Sequence, residues 1–236
     1  MTKRVVLIPV YNEEEHLEGL LARLRQVYDD DVLFVDDGSV DCSAALLKQL
    51  EGPRTRIIMQ PENRGYGATL LRGFAEVVKA QYDYVITMDS DGQHRPDWIA
   101  RFFREIEQGW DIVSGSRYRE ETDGNGSAPP DRRRINGEIT RLVNEATGFA
   151  LTDAFCGFKA YRAAALAKLQ LTLTGYSMPL QLWIQAKALG LSVTELPVSR
   201  IYDDPNRRFG GELDDPSVRL AYYLETIQEE RKRWNV

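Results

Sequence analysis

The chain is short of cysteine. Cys42 and Cys156 are its two cysteines, far apart and without metal-ligand spacing. That excludes a disulfide framework and a cysteine-built zinc site, and it points to a reducing compartment. Positive charge is not in excess either: 30 Lys and Arg stand against 36 Asp and Glu, a formal net charge of −6. Such a balance argues against a general nucleic-acid binder, although local basic clusters still decide whether an anionic ligand is held. No apolar run approaches the ~20 residues that a membrane span needs. Met1-Thr2-Lys3-Arg4 leads straight into a strand pattern, without the apolar stretch and small-residue cleavage site of a signal peptide. The expectation is a cytoplasmic protein that meets a membrane, if at all, peripherally on its cytoplasmic face. Both glycine signatures for phosphate are missing, the Gly-x-Gly-x-x-Gly turn and the P-loop Gly-Lys-Ser. A diphosphate bound here would need a metal to neutralise it. There are no internal repeats and no low-complexity tract.

What is present is an ordinary globular composition, 43% hydrophobic and 28% charged over 236 residues. That length suits one domain with a large core, or one domain with an appendage. Short apolar runs alternate with helical periodicity. Strands are predicted at 5–8, 32–35, 56–59, 84–88 and 112–115, and helices at 13–28, 41–50, 67–80 and 96–108. Asn12 is placed as the cap of the first helix, with Glu13, Glu14 and Glu15 in its first turn, and Asp41 as the cap of the second. Strands that are apolar throughout, with helices between them, predict a mostly parallel α/β sheet covered on both faces. After residue 117 the regularity stops. Residues 119–130 and 202–215 read as surface loops. Between and beyond them come a helix at 132–147, a strand at 155–161, a helix at 179–189 and a strand at 193–198. Asp215-Pro216 opens a final helix, with Val218, Ala221, Tyr222, Leu224 and Ile227 expected inward.

The unusual residues fall where strands end. In an open parallel sheet, ligands bind beyond the C-terminal strand ends. Pro9-Val10-Tyr11-Asn12-Glu13 follows the first strand, Asp36-Asp37-Gly38-Ser39 the second, Asp89-Ser90-Asp91 the fourth and Ser116-Arg117-Tyr118 the fifth. Carboxylates so dense repel one another unless a cation or donors intervene. Ser39 and Asp41 suit turn and cap roles. Asp37, Asp89 and Asp91 are the candidates for a ligand site. Asp89 and Asp91, one residue apart, offer hard oxygen donors for Mg²⁺ or Mn²⁺. Gly65-Tyr66-Gly67, at the third strand–helix junction, can let backbone approach a ligand.

Taken in order, Pro9 to Glu13, Val35-Asp36-Asp37-Gly38-Ser39, Asn63-Arg64-Gly65-Tyr66-Gly67, Met88-Asp89-Ser90-Asp91-Gly92-Gln93 and Gly115-Ser116-Arg117-Tyr118 resemble the family 2 glycosyltransferases of the GT-A fold. Residues 153–162, Asp153-Ala154-Phe155-Cys156-Gly157-Phe158-Lys159-Ala160-Tyr161-Arg162, are similar to the dolichol-phosphate mannosyltransferase branch. The likeness covers about residues 4–200. It implies a Rossmann-like GT-A catalytic domain over 1–200, with a nucleotide-sugar half at about 1–116 and an acceptor half at about 117–200. Residues 201–236 would form a C-terminal loop and helix on the same domain.

Carried over residue by residue, the resemblance implies that Pro9, Tyr11, Glu13, Asp37, Gly67 and Asp89 line the nucleotide-sugar pocket. Asp89 and Asp91, helped by Gln93, would hold the divalent metal on the donor diphosphate. Arg117 would meet an acceptor phosphate. The run Arg132-Arg133-Arg134 falls where the family has a second phosphate-binding arginine, with any of the three able to fill it. A basic first turn opposes the helix dipole, so an anion there is physically attractive. The metal, as a Lewis acid, would stabilise charge on the departing nucleoside diphosphate. A lipid phosphate would attack from the opposite face, already ionised, and invert the anomeric carbon. A hydroxyl acceptor would need a base, and Asp153 is the residue to test for it, with packing behind the site as the alternative.

The chain also departs from that branch. Where a basic, serine-bearing segment is usual, it has residues 200–211, in which Arg207 and Arg208 can clamp phosphates, and Asp203 or Asp204 can complete a metal shell. The Gln-x-x-Arg-Trp signature of processive synthases is not present, so single transfer is expected. The leading expectation is sugar transfer, with GDP-mannose a candidate donor, to a polyprenyl or dolichyl phosphate. The alternatives are transfer from a UDP-sugar to a hydroxyl and a non-catalytic sugar-nucleotide sensor. A phosphoryl-receiver module is disfavoured by length and by the Asp89-Ser90-Asp91 doublet.

Overall fold

The computed structural model describes residues 2–119, 129–199, 201 and 211–236. Seven strands form one sheet: β1 (Arg4–Val10), β2 (Asp31–Asp36), β3 (Thr55–Met59), β4 (Tyr84–Thr87), β5 (Ile112–Ser116), β6 (Lys159–Arg162) and β7 (Val193–Pro197), in the order β3-β2-β1-β4-β6-β5-β7. Every pairing is parallel except those of β6, which runs antiparallel to both β4 and β5. The predicted strand at 155–161 therefore forms only from Lys159. Its first residues make an irregular loop that enters the sheet from the opposite end.

Alternation along β1 explains the two-sided cover. Val5 and Leu7 join the core on one face, while Val6, Ile8 and Val10 join the core on the other. A period of two sends successive side chains to opposite faces, so a strand apolar throughout needs helices on both sides. On one face lie α1 (Leu17–Arg25), α2 (Ser43–Leu50) and α4 (Ile99–Ile106). On the other lie α3 (Tyr66–Lys79), α5 (Pro130–Thr147), the short α6 (Ala163–Leu166), α7 (Met178–Ala188) and α8 (Pro216–Trp234). Helix α6 has no counterpart among the predicted elements.

Two further details differ from the sequence reading. Asn12 does not cap α1, because the helix starts only at Leu17. Asn12 instead takes a left-handed conformation, φ 54°, and its side-chain oxygen accepts from Val40 N at 2.9 Å. In this way it ties the loop after β1 to the loop after β2. Helix α8 does begin at its Asp215 cap, which accepts from Ser217 N and Val218 N. Its buried face, however, is Arg219, Tyr223, Thr226, Ile227 and Glu230. Val218 and Ala221 face solvent. The phase differs because two charged residues are buried with partners. Arg219 binds Asp131, and Glu230 accepts from Gln181 and Gln185.

Strand order reverses direction between β1 and β4. That topological switch point opens a crevice at the C-terminal strand ends, and hydrogen bonds across it fix its edges. Asp37 N donates to Val10 O at 2.8 Å, and the Ser90 hydroxyl donates to Pro9 O at 2.9 Å.

Candidate active site

The crevice is a cavity of about 600 Å³, within the size range of small-molecule sites. Pro9, Tyr11 and Glu13 after β1, Asp37 after β2, Asp89, Asp91 and Gln93 after β4, and Arg117 after β5 all line it, as does Arg132 from α5. Thus most of the residues singled out in the sequence meet in one place.

Asp89 is held from several sides. The Tyr66 hydroxyl donates to Oδ1 at 3.0 Å. Loss of water around the phenol, then the Asp89 charge, holds Tyr66 well above its ordinary pKa, so it stays a donor. Asp89 N donates to Nδ1 of His94 at 3.0 Å. That nitrogen is therefore an acceptor, and at 3.7 Å from Asp89 Oδ2 it makes a close approach rather than an ion pair. His94 stacks on Phe158, with ring centroids 5.0 Å apart. Gly157 leaves the room: a Cβ there would sit 2.5 Å from Asp89 Oδ2 and 2.9 Å from the Tyr66 hydroxyl. Asp91 Oδ1 accepts from Gln93 N at 3.0 Å.

This donor set suits a hard divalent cation. Its groups are carboxylate oxygens, and the nearby imidazole nitrogen is already engaged by backbone. Among the described residues, no three His, Cys, Asp or Glu side chains gather as a metal cage. A cation held by Asp89 and Asp91 would draw its other ligands from phosphate oxygens and water, as Mg²⁺ commonly does.

Asp37 is buried, 3% exposed. Its carboxylate accepts from Gln60 Nε2 at 2.8 Å, Arg64 N at 3.0 Å and Gly65 N at 2.8 Å. It therefore shapes the turn before α3 as well as lining the cavity. Gly65 needs its left-handed φ of 99° there. Gly67 does not line the cavity. It packs against the backbone of residues 173 and 174, where a Cβ would lie 2.5 Å from Leu173 O.

Arg117 and Arg132 line the same cavity, with Arg219. Arg117 grips Asp153 with both arms of its fork, Nε to Oδ2 at 2.7 Å and Nη2 to Oδ1 at 3.0 Å. Asn136 Nδ2 adds a bond to Oδ1 at 2.8 Å. Asp153 is fully buried behind Arg117 and is not part of the cavity wall. Burial by itself would raise its pKa. The Arg117 charge and the hydrogen bonds from Arg117 and Asn136 outweigh burial and hold it down at about 2. The loop around it is anchored by Glu195, which accepts from Thr152 N at 2.8 Å and Asp153 N at 3.1 Å.

Within the basic run, Arg132 faces the cavity, while Arg133 and Arg134 are exposed on the outer side of α5. Arg207 and Arg208, with Asp203 and Asp204, lie outside the described residues. Sequence reasoning missed several lining residues: Tyr66, Phe155, Tyr176, Arg219 and Tyr223. Helical spacing would have separated Arg132, which shares a face with Ile135, Asn136 and Ile139, from its two neighbours. Nothing in the sequence pattern places Arg219 or Tyr223 at this cavity, because they arrive with α8 from the far end of the chain.

A mostly parallel sheet flanked by helices, with a carboxylate pair and arginines lining the crevice at its strand ends, has the architecture of the GT-A glycosyltransferases. The chain belongs to glycosyl transferase family 2, whose model matches residues 5–170. It is 31% identical over 208 residues to a polyprenol monophosphomannose synthase of Mycolicibacterium smegmatis, covering 84% of this chain and 77% of that protein. It is also 31% identical over 201 residues to an undecaprenyl-phosphate mannosyltransferase of Micrococcus luteus, covering 83% and 82%. An undecaprenyl-phosphate 4-deoxy-4-formamido-L-arabinose transferase of Pseudomonas fluorescens is 34% identical over 206 residues, but the match spans only 56% of that longer protein. Among solved structures, a glucosyl-3-phosphoglycerate synthase of Mycobacterium tuberculosis, in complex with Mn²⁺, UDP and phosphoglyceric acid, shares the fold. The TM-score is 0.72 at 19% identity, covering 97% of this chain and 78% of that one.

Proposed function

We propose that this glycosyltransferase moves one sugar from a nucleoside-diphosphate sugar to a polyprenyl phosphate, with a divalent metal and with inversion at the anomeric carbon. One observation carries the reading: a carboxylate pair, Asp89 and Asp91, and arginines, among them Arg117 and Arg132, line a single cavity. Carboxylates that can hold a cation suit the donor diphosphate, and arginines suit a second phosphate.

When bound, the metal supplies Lewis-acid stabilisation of the leaving diphosphate. The chain's own residues do the rest. Tyr66 and Gly157 orient Asp89, Asp37 holds the Arg64–Gly65 turn against the nucleotide, and Arg117 presents its charge to the acceptor. Asp153 is locked to Arg117 and withdrawn from the cavity, which supports a positioning role for it rather than proton abstraction. An acceptor that needs no base fits this arrangement, and a phosphate oxygen is such an acceptor.

The relatives named for polyprenol and undecaprenyl phosphate support the acceptor class. Two are named for mannose, and GDP-mannose is the first donor to try. The Mn²⁺ and UDP held by the structural neighbour support the metal and keep a UDP-sugar as the second donor. No helix among the described residues is long and apolar enough to cross a membrane. With a lipid-phosphate acceptor, the reading is of an enzyme that works at a membrane surface.

Labelled GDP-mannose and UDP-sugars should be offered with undecaprenyl phosphate and, separately, with hydroxyl acceptors. The proposal predicts transfer to the phosphate that stops in EDTA and returns with Mn²⁺ or Mg²⁺. Transfer only to hydroxyls, or undiminished transfer in EDTA, would overturn it.

A further inference from the structure

The family match ends at residue 170, yet α8, at Pro216–Trp234, brings Arg219 to the cavity wall. The Arg219 side chain is 3% exposed. Its Nη2 donates to Asp131 Oδ2 at 2.5 Å and its Nη1 to Leu213 O at 2.7 Å. Asp131 belongs to the first turn of α5, and the next residue is Arg132. Burial opposes ionisation of Asp131, but the bond from Arg219 and those from its own helix turn hold its pKa below the ordinary value. Four residues beyond Arg132 on the same helix, Asn136 donates to Asp153, which accepts from Arg117.

A charged anchor is an expensive way to dock a helix. Withdrawing an arginine from water costs several kcal/mol, and apolar packing often does the same work at least as well. Elsewhere α8 docks through apolar contacts such as Tyr223 and Ile227 and, on α7, through Glu230, which accepts from Gln181 and Gln185. Its ion pair with α5, Arg219 to Asp131, stands next to Arg132, which lines the cavity.

We propose that Arg219 is a positioning residue: through Asp131 it fixes the first turn of α5 and thereby holds Arg132 toward the phosphate of the acceptor. The C-terminal helix is then part of the acceptor site. This rests on the function proposed above for its substrate, but not for its structural content.

Arg219→Met and Arg219→Lys are compared with wild type by amide hydrogen exchange and by steady-state kinetics with undecaprenyl phosphate in detergent micelles. In Arg219→Met, exchange should rise in the first turn of α5 and not at its C-terminal end. The KM for undecaprenyl phosphate should rise about tenfold, the usual effect of losing a hydrogen bond to a charged group, with donor KM and kcat near wild type. Arg219→Lys should restore part of the loss. Should Arg219→Met not fold, Asp131→Asn carries the same test at unchanged side-chain volume. Unchanged exchange in α5, or donor and acceptor KM rising together, would overturn the proposal. If wild type transfers nothing to undecaprenyl phosphate, the proposed function falls, and the exchange data alone decide the role of Arg219.

Discussion

The Tyr66 hydroxyl donates to one oxygen of Asp89, 3.0 Å away, while Gly157 keeps clear the space beside the other. The carboxylate is thereby held by a donor on one oxygen and given room by a residue without a side chain. Support of this kind governs how well a metal-ligating group binds.

Tyr66→Phe removes the hydroxyl and little else. Affinity for Mn²⁺, titrated in the presence of the nucleotide, should fall about tenfold to a hundredfold, as for other groups that orient metal ligands. An unchanged Mn²⁺ titration would mean that Asp89 holds its place without Tyr66.

Gly157→Ala should be more damaging to activity than to folding. The added methyl would meet Asp89 Oδ2 at 2.5 Å, so the carboxylate has to move. Displacement by about 1 Å commonly costs about a hundredfold in rate. Turnover should fall by that order while circular dichroism and gel filtration stay those of the native fold.

Asp153 gives a pH signature. Its pKa is lowered to about 2 in the folded protein, from ~3.9 in the unfolded chain. The unfolded state therefore binds the proton more readily. The stabilisation, roughly 2–3 kcal/mol, is fully present above pH ~4 and disappears as pH falls toward 2. Urea unfolding of wild type should show this loss over that window, beyond the loss shown by Asp153→Asn. Asp153→Asn should also weaken the acceptor interaction, because Arg117 loses the charge that orients it. Parallel pH curves for the two proteins would refute the assignment.

Asp37→Ala should free the turn at Arg64 and Gly65, since three donors lose their acceptor. Buried donors left unpaired cost about 1–3 kcal/mol each. A lower Tm together with a raised donor KM, measured with acceptor saturating, is the expected result. A raised KM at unchanged Tm would mean that Asp37 acts on the nucleotide alone.

Much of this molecule is legible in the chain. Apolar runs in β1, β2, β4 and β5 dictate a sheet buried on both faces, because each residue of such a run needs apolar cover whichever way it points. The same runs end in Asp37, Asp89 and Arg117, so connectivity alone carries these residues to one edge. Local patterns also place Asp215 as the cap of α8, since a carboxylate before Pro216 satisfies free amides close in sequence.

Tertiary structure decided the rest. The antiparallel entry of β6, the locking of Asp153 by Arg117, the fit of Gly157 against Asp89 and the reach of Arg219 to Asp131 all join segments tens of residues apart. No periodicity records such pairings, for each depends on where a packed core delivers two distant elements. The buried face of α8 shows the limit most clearly. Hydrophobic phase points to Val218 and Ala221, but buried Arg219 and Glu230 turn the helix, because their partners wait on α5 and α7. Sequence by itself thus set the sheet and the chemistry at its edge. Only the folded chain determined which side chains are held, by what, and that the C-terminal helix lines the cavity.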